Sequence, residues 1–181
     1  MAASEIVVPR NARDSSGINQ VEGLNAEESF KQHVEDMGCS WRTSTPHENR
    51  RLHIDCWVDN WSVDVKAAKR ISRRDHRGQL NKVQDALHWV EHRTIVGTPG
   101  WAHSQHLDYV AFQMLDGTFL CVERRRLSNL LTERVEAKRG IQPGNQYMAQ
   151  DGVLWTRRGR RDAMTLFTTA QLKALEGTQI W

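Results

Sequence analysis

Apolar and polar residues alternate in short runs along much of the chain, a pattern that favours β-strands. The clearest runs are residues 52–58 and 61–67, separated by Asp59 and Asn60, which both tolerate the left-handed backbone of a tight turn. They predict a β-hairpin whose core face holds the even-numbered residues of the first run and the odd-numbered residues of the second. The other predicted strands are residues 41–45, 87–96, 107–115, 118–123, 152–158 and 163–168.

A 3.6-residue spacing of apolar side chains marks the predicted helices. Phe30 and Val34 lie on one stripe of residues 25–37, and Asn25 is a suitable N-cap for a helix over that range. The other two predicted helices are residues 125–138 and residues 170–177, the second capped by Thr169.

These elements predict an α+β (α/β) fold in which a few helices flank a central mixed β-sheet. Residues 1–24 are polar and are interpreted as a flexible N-terminal arm. Residues 25–181 are predicted to form a single domain, with a core over about 25–140 and a C-terminal strand pair and helix in 141–181. Within the core, the polar and basic residues 70–86 predict an irregular excursion.

Composition is that of a soluble globular domain, because 39% of the 181 residues are hydrophobic and 26% are charged. No apolar run approaches the roughly 20 residues of a membrane-spanning helix, and the N-terminus does not resemble a secretory signal, so a cytoplasmic setting is expected.

An odd number of cysteines without a CxxC pair argues against a disulfide framework and a thiolate zinc site. The two that lie in apolar runs are predicted to be core residues: Cys56 and Cys121.

Positive charge is clustered although the net charge is only +3. Basic blocks occur at residues 66–82, 124–126 and 157–161. Any one of them is explained by a solvated surface, but three in a small domain favour a polyanionic partner such as nucleic acid.

The polar face of the predicted hairpin carries three charged residues that a plain hairpin does not need. Strand parity and the two-residue turn place Asp55 opposite Asp64 and put Lys66 on the same face. Two carboxylates about 5 Å apart repel each other by on the order of 3 kcal/mol at an effective dielectric constant near 20. Lys66 or a divalent cation would offset this repulsion, and Mg²⁺ prefers one or two carboxylates together with water and phosphate oxygens.

The predicted roles follow from this chemistry. Asp55 and Asp64 would hold the cation, with the Val65 carbonyl as a further ligand. Lys66 would orient the attacking water or stabilise charge on the phosphate. The alternative is a solvent-facing strand pair with an ordinary Asp–Lys contact, which leaves the second aspartate unexplained.

Two adjacent glutamates on the first predicted helix differ in their expected positions. Glu27 lies on the face of Phe30 and Val34, so it would point to the sheet, whereas Glu28 points away and suits a capping role after Asn25. Glu27 is therefore a candidate site residue, with favourable placement at a helix N-terminus as the alternative.

The order of these residues resembles the PD-(D/E)XK nuclease superfamily, including small phage-encoded nucleases of this kind. The resemblance covers roughly residues 25–125 and rests on Glu27 and Gly38 of the first helix, Asp55, and the Asp64-Val65-Lys66 motif. It implies a restriction-endonuclease-like core and Mg²⁺-dependent phosphodiester hydrolysis, with Mn²⁺ able to replace Mg²⁺. It also implies that Glu27, Asp55, Asp64 and Lys66 are catalytic. Ile54 stands where the family motif has proline.

The expected partner is DNA, with RNA as an alternative and no membrane. Duplex, branched junction, flap and single strand all fit the sequence, and cleavage of both strands of a duplex would favour a homodimer. The residues predicted to contact nucleic acid are Lys69, Arg70, Arg73, Arg74, Arg77, Arg157 and Arg158. Two other functions are weaker alternatives. The opposed carboxylates argue against a non-catalytic nucleic-acid-binding protein on a nuclease-like fold, and the basic blocks argue against an inhibitor that binds a protein through acidic patches.

Other candidate residues receive simpler interpretations. His88, Glu91 and His92 spell H-x-x-E-H, but zinc-protease chemistry needs this motif on a helix and the segment favours a strand. Glu91 is then interpreted as a salt-bridged surface residue, with a place near the site as the alternative. Asp108 suits a turn, and Trp57 would line the cleft beside Asp55.

Overall fold

The computed structural model describes residues 18–68, 71–74, 80–83, 87–137, 141–143, 149–156 and 159–181. Its helices are α1 Ile18–Asp36, α2 Arg124–Ala137 and α3 Thr169–Lys173, with a π-helical turn at Glu48–Leu52 and a 3₁₀ turn at Trp101–His103. Within the described ranges, none of the helices combines the length and apolar character that crossing a bilayer requires. The strands are β1 Trp41–Thr43, β2 Cys56–Val58, β3 Trp61–Lys66, β4 Ile71–Arg74, β5 Leu80–Val83, β6 Leu87–Arg93, β7 Tyr109–Gln113, β8 Phe119–Glu123, β9 Ile141–Pro143, β10 Leu154–Thr156, β11 Ala163–Thr168 and β12 Gln179–Ile180.

The central sheet has the order β1-β2-β3-β7-β8-β12 and is mixed, as predicted. Strands β3 and β7 are parallel, whereas the other neighbours are antiparallel. The predicted hairpin is confirmed, because Val58 pairs with Trp61 across a two-residue turn and Asp59 has a left-handed φ of 52°. The α+β fold class is therefore confirmed.

Strand β3 is buried on both faces, which explains how a charged residue comes to lie inside the protein. On one face, Val63 and Val65 pack with Phe30 and Val34 of α1. The opposite face is covered by α2 and by a second sheet of order β6-β11-β10-β9. Asp64 lies between Val63 and Val65 in sequence, so its side chain points to this second face.

The predicted core cysteines are confirmed, since Cys56 and Cys121 are both buried beside α1. Burial raises the pKa of the Cys121 thiol to about 12, so this thiol stays protonated near neutral pH.

Three predictions about the first helix are wrong. Helix α1 is already formed at Ile18, so Asn25 is not its N-cap and residues 18–24 are not part of an irregular arm. Glu28 consequently lies in the middle of the helix and cannot make the predicted capping contact. Cap preference is a local signal, and packing of a longer helix overrides it.

The predicted alternation of residues 52–58 also fails at one end. Cys56 and Val58 pack against α1, but Ile54 packs in the cluster on the opposite face of the sheet. His53 has a left-handed φ of 61°, and residues 53–55 precede the regular strand, so the period-two pattern does not extend back to Ile54. On the partner strand, Trp61 was expected in the core but is 53% exposed.

Three smaller predictions need correction. Leu52, predicted to begin the first strand of the hairpin, lies instead in the π-helical turn Glu48–Leu52. The segment 70–86 contains a paired β4–β5 ribbon, not only irregular chain. Thr168, one residue earlier than expected, caps α3 through reciprocal hydrogen bonds with Gln171.

Candidate active site

Asp64 and Lys66 form an ion pair at the end of β3. Lys66 Nζ lies 2.5 Å from Asp64 Oδ1, and the Lys66 side chain remains 31% exposed. Asp64 is only 2% exposed, and within the described chain its Oδ2 atom has no hydrogen-bond partner. A buried carboxylate oxygen without a partner is unusual, because desolvation of such an atom is costly.

Asp55 lies beside this pair, immediately before β2. The β2–β3 pairing ends at Cys56 opposite Val63, and one further step along the strands brings Asp55 next to Asp64. The Asn49 amide donates a 2.7 Å hydrogen bond to Asp55 Oδ1, and the Val65 N–H donates a 2.8 Å hydrogen bond to Oδ2. The carboxylate is thus held in one orientation from two sides.

The backbone direction of β3 also determines where the Val65 carbonyl points. On the β2 side of β3, the Val63 carbonyl accepts a hydrogen bond from the Asp55 N–H, and the Val65 N–H donates to the Asp55 side chain. On the β7 side, the Ser62 carbonyl accepts a hydrogen bond from the Asp108 N–H. The N–H and C=O of one strand residue point to the same side. The Val65 carbonyl therefore points to the Asp55 side of β3, beyond the start of β2.

Electrostatic coupling joins these residues. Burial raises the pKa of Asp64 well above its ordinary value; the Asp55 charge adds to the increase, and Lys66 opposes it. Burial opposes the charge on Lys66, but Asp64, Asp55 and Glu91 outweigh that effect and raise the pKa of Lys66. Lys66 is therefore a cation near neutral pH and not a general base.

Glu27 of α1 faces the same group of charges. Burial raises the pKa of Glu27 to about 7, with the Asp55 charge adding to the increase and Lys66 opposing it. Glu28 is exposed, so the two adjacent glutamates differ in position as the helical spacing predicted.

Three further residues surround Lys66. The Lys66 ammonium lies 4.9 Å from the ring centre of Trp101, a favourable cation–π arrangement. Burial and the Lys66 charge lower the pKa of His53, although Asp55 opposes this effect. Glu91 lies on β6, so the H-x-x-E-H segment is a strand as predicted, and Glu91 is half-buried near the site.

The donor set fits a hard divalent cation bound mainly by water and phosphate. Within the described residues, no group of three or more His, Cys, Asp or Glu side chains is close enough to hold a metal ion by itself. Asp55, the partnerless Oδ2 of Asp64 and the Val65 carbonyl provide oxygen donors on neighbouring elements. Mg²⁺ commonly uses one or two carboxylates and leaves the rest of its shell to water and substrate, so these donors suit it.

The residues predicted to contact nucleic acid lie mostly outside the described residues. Arg73 and Arg74 belong to β4, which begins five residues after Lys66. The others fall outside the described ranges: Lys69, Arg70, Arg77, Arg157 and Arg158.

Two other residues have structural partners. The Trp57 indole N–H donates to Glu48, and the Arg42 guanidinium lies 4.9 Å from the centre of the Trp57 ring. Asp108 accepts two hydrogen bonds from Ser62 and joins the starts of β3 and β7, which is consistent with a structural role.

Sequence reasoning missed Asn49 and Trp101 as neighbours of the site. Asn49 reaches Asp55 from the π-helical turn, and Trp101 reaches Lys66 from a turn 35 positions later in the chain. Neither residue belongs to a motif or a periodic pattern, so nothing in the sequence singled them out.

No protein-family model and no curated protein matches this chain. In a comparison with solved structures, the chain is similar to a bacterial homing endonuclease, I-Ssp6803I, with a TM-score of 0.43 and 14% sequence identity. The match covers 61% of this chain and 72% of that one. Because a TM-score this low does not establish a shared fold, the activity of that enzyme is not transferred to this chain.

The raised pKa of Glu27 gives a pH-dependent stability that can be measured in EDTA. The folded-state pKa of about 7 exceeds the ordinary value of 4.5, so the folded protein binds this proton more tightly than the unfolded chain does. This contribution is fully present below about pH 4.5 and is lost as the pH rises towards 7. As the pH rises from 4.5 to 7, we expect the melting temperature of Glu27→Gln to fall less than that of the wild type.

Glu28→Gln is the matched control, because Glu28 is the exposed neighbour on the same helix. Its melting temperature should follow the wild-type pH dependence. Parallel curves for Glu27→Gln and the wild type would show that Glu27 does not carry the raised pKa.

Proposed function

We propose that this protein is a divalent-metal-dependent DNA endonuclease that hydrolyses phosphodiester bonds at Asp55, Asp64 and Lys66. The observation that carries the proposal is the buried Oδ2 of Asp64, which has no hydrogen-bond partner within the described chain and lies beside a second carboxylate. A buried carboxylate oxygen without a partner and a second carboxylate beside it both cost folding free energy. A cation that binds both carboxylates would remove both costs.

Asp55 and Asp64 hold the cation in this proposal, and the Val65 carbonyl adds a third oxygen. When bound, Mg²⁺ or Mn²⁺ supplies polarisation of the scissile phosphate and a lowered pKa for a coordinated water. Hydrogen bonds from Asn49 and the Val65 N–H hold the Asp55 carboxylate in one orientation.

Lys66 contributes a fixed positive charge next to the reacting phosphate. Its raised pKa keeps it protonated, so it stabilises negative charge that develops on the phosphate oxygens. The stack on Trp101 limits the positions that its ammonium can occupy. One face of the ammonium is bound to Asp64, and the exposed part of the side chain is available to substrate.

Glu27 is assigned the exchange of a proton with the attacking water. Without a bound cation the pKa of Glu27 is about 7, so its carboxyl group can exchange a proton near neutral pH. The assignment rests on this pKa and on electrostatic coupling of Glu27 to both Asp55 and Lys66.

DNA is the proposed substrate because of the three basic blocks. They supply the positive charge that phosphate contacts require, and one of them begins at Lys66 itself. RNA would present the same phosphates, so it belongs in the test.

The proposal is tested by incubating the purified protein with supercoiled, linear, branched and single-stranded DNA and with RNA. Each substrate is tried with Mg²⁺, with Mn²⁺ and with EDTA. We expect metal-dependent cleavage of at least one DNA substrate and none in EDTA. Equal cleavage in EDTA would contradict the metal assignment, and salt-sensitive binding without cleavage would favour a non-catalytic nucleic-acid-binding protein.

A further inference from the structure

The π-helical turn at Glu48–Leu52 is fixed at both ends by side-chain contacts. At its start, the Arg42 guanidinium makes two hydrogen bonds to the Glu48 carboxylate, at 2.9 and 3.1 Å. Thr45 and Glu48 also bond reciprocally, since the Thr45 N–H donates to Glu48 and the Glu48 N–H donates to the Thr45 hydroxyl. At its end, the Ser104 hydroxyl donates a 2.8 Å hydrogen bond to the Leu52 carbonyl.

The Glu48 carboxylate at the start of this turn is held in its ionised form. Hydrogen bonds from Arg42 and from the Thr45 backbone lower the pKa of Glu48 to about 2. Glu48 is therefore ionised at any pH at which the protein would work, and it also accepts from the Trp57 indole N–H at 3.1 Å. A turn with so many fixed contacts holds its other side chains in defined positions.

Asn49 is the residue of this turn that reaches the candidate site. Its amide Nδ2 lies 2.7 Å from Asp55 Oδ1, a short hydrogen bond to a charged acceptor. A wide π-helical turn places side chains differently from an α-helix and often occurs at functional sites. His53, which closes the turn, has a left-handed φ of 61°, a strained conformation for a residue other than glycine.

We propose that Asn49 is a positioning residue that orients the Asp55 carboxylate and thereby sets the affinity of the site for its divalent cation. This inference rests on the proposed function. Hydrogen bonds from Asn49 and Val65 reach different oxygens of Asp55, which fixes the plane of the carboxylate. Such bonds to a metal ligand typically change metal affinity or activity by about 10- to 100-fold.

The test variant is Asn49→Leu, which keeps a side chain of similar size but removes the hydrogen-bond donor. Asn129→Ala on the exposed face of α2 is the matched asparagine control, and thermal melting in EDTA verifies that each variant is folded. Binding of Mn²⁺ alone is measured without nucleic acid, and cleavage is measured as a function of Mg²⁺ concentration.

We expect Asn49→Leu to weaken Mn²⁺ binding, and to raise the Mg²⁺ concentration for half-maximal cleavage, by about 10- to 100-fold. At saturating Mg²⁺ its cleavage rate should remain within a few-fold of the wild type, which a general disruption of the fold would not allow. If Asn49→Leu proves unstable, Asn49→Ala should show the same result: weaker metal binding with a nearly unchanged maximal rate. A lower maximal rate with unchanged Mn²⁺ affinity would overturn the proposal, and so would no change in either quantity.

Failure of the proposed function gives a different result. A wild type that binds Mn²⁺ but cleaves no nucleic acid contradicts the nuclease proposal, while weaker Mn²⁺ binding by Asn49→Leu still supports the positioning role. A wild type that binds no Mn²⁺ would overturn both.

Discussion

Asp64→Asn is expected to abolish metal-dependent cleavage, with a loss of about a thousandfold or more. The cation supplies several kcal/mol of transition-state stabilisation, and each 1.4 kcal/mol corresponds to about tenfold in rate. Asparagine has nearly the same shape but lacks the charge that holds the cation. Initial rates with Mg²⁺ on the best substrate of the wild type measure this effect.

The same substitution should not destabilise the protein in EDTA near pH 8. The folded-state pKa of Asp64 is raised, so the stability linked to its proton is present below the ordinary aspartate pKa and is lost as the pH rises. The raised pKa means that ionisation of Asp64 costs folding free energy even with Lys66 beside it; the neutral asparagine avoids this cost, while Asp55 and Glu91 still favour the Lys66 charge. At pH 8 we therefore expect the melting temperature of Asp64→Asn to equal or exceed that of the wild type. At pH 4 the difference in melting temperature should shift in favour of the wild type.

Added Mg²⁺ should reverse this order. A ligand at 100 times its Kd stabilises the folded state by about 2.7 kcal/mol, and only the wild type should gain this stability. Asp116→Asn is the control, because Asp116 is an exposed turn residue whose side chain accepts hydrogen bonds from Thr118. Cleavage by Asp64→Asn at a rate above about a tenth of the wild type would contradict the site assignment.

The local part of this site could be predicted from the sequence. Alternation around Asp59-Asn60 fixes the hairpin register from Val58–Trp61 to Cys56–Val63, and Asp55, the next residue, reaches β3 through the Val65 N–H. The identity of these residues and the two-residue period are enough to bring Asp64 and Lys66 onto one face. Each of these inferences uses residues close together in the chain.

The parts that could not be predicted depend on long-range packing. Asp64 pairs with Val110 of β7, and Val110 packs in a cluster with residues of α2 and the second sheet, which lie far from Asp64 in the chain. Trp101 and Glu91 approach Lys66 from that side. Ile54 packs on the face opposite to the predicted one for a different reason. The left-handed backbone of His53 interrupts the alternation that the sequence pattern alone would continue.

Lys66→Met should also reduce cleavage, by about 100- to 1,000-fold, because removal of a positioned charge at the transition state typically has this effect. Its effect on stability should be opposite in sign to that of Asp64→Asn. Methionine leaves the Asp64 carboxyl buried without its cation, and breaking a buried ion pair costs about 3–5 kcal/mol. Since Lys66 is 31% exposed, solvent screening reduces the expected loss to roughly 1–3 kcal/mol near pH 8.

This loss should disappear as the pH falls, because protonation of Asp64 removes the unpaired charge. The double variant Asp64→Asn with Lys66→Met should recover the stability near pH 8 while remaining inactive. Lys173→Met, at an exposed position in α3, is the control and should change neither property. If Lys66→Met is as stable as the wild type at pH 8 and the double variant gains nothing, then the ion pair does not compensate the buried carboxylate.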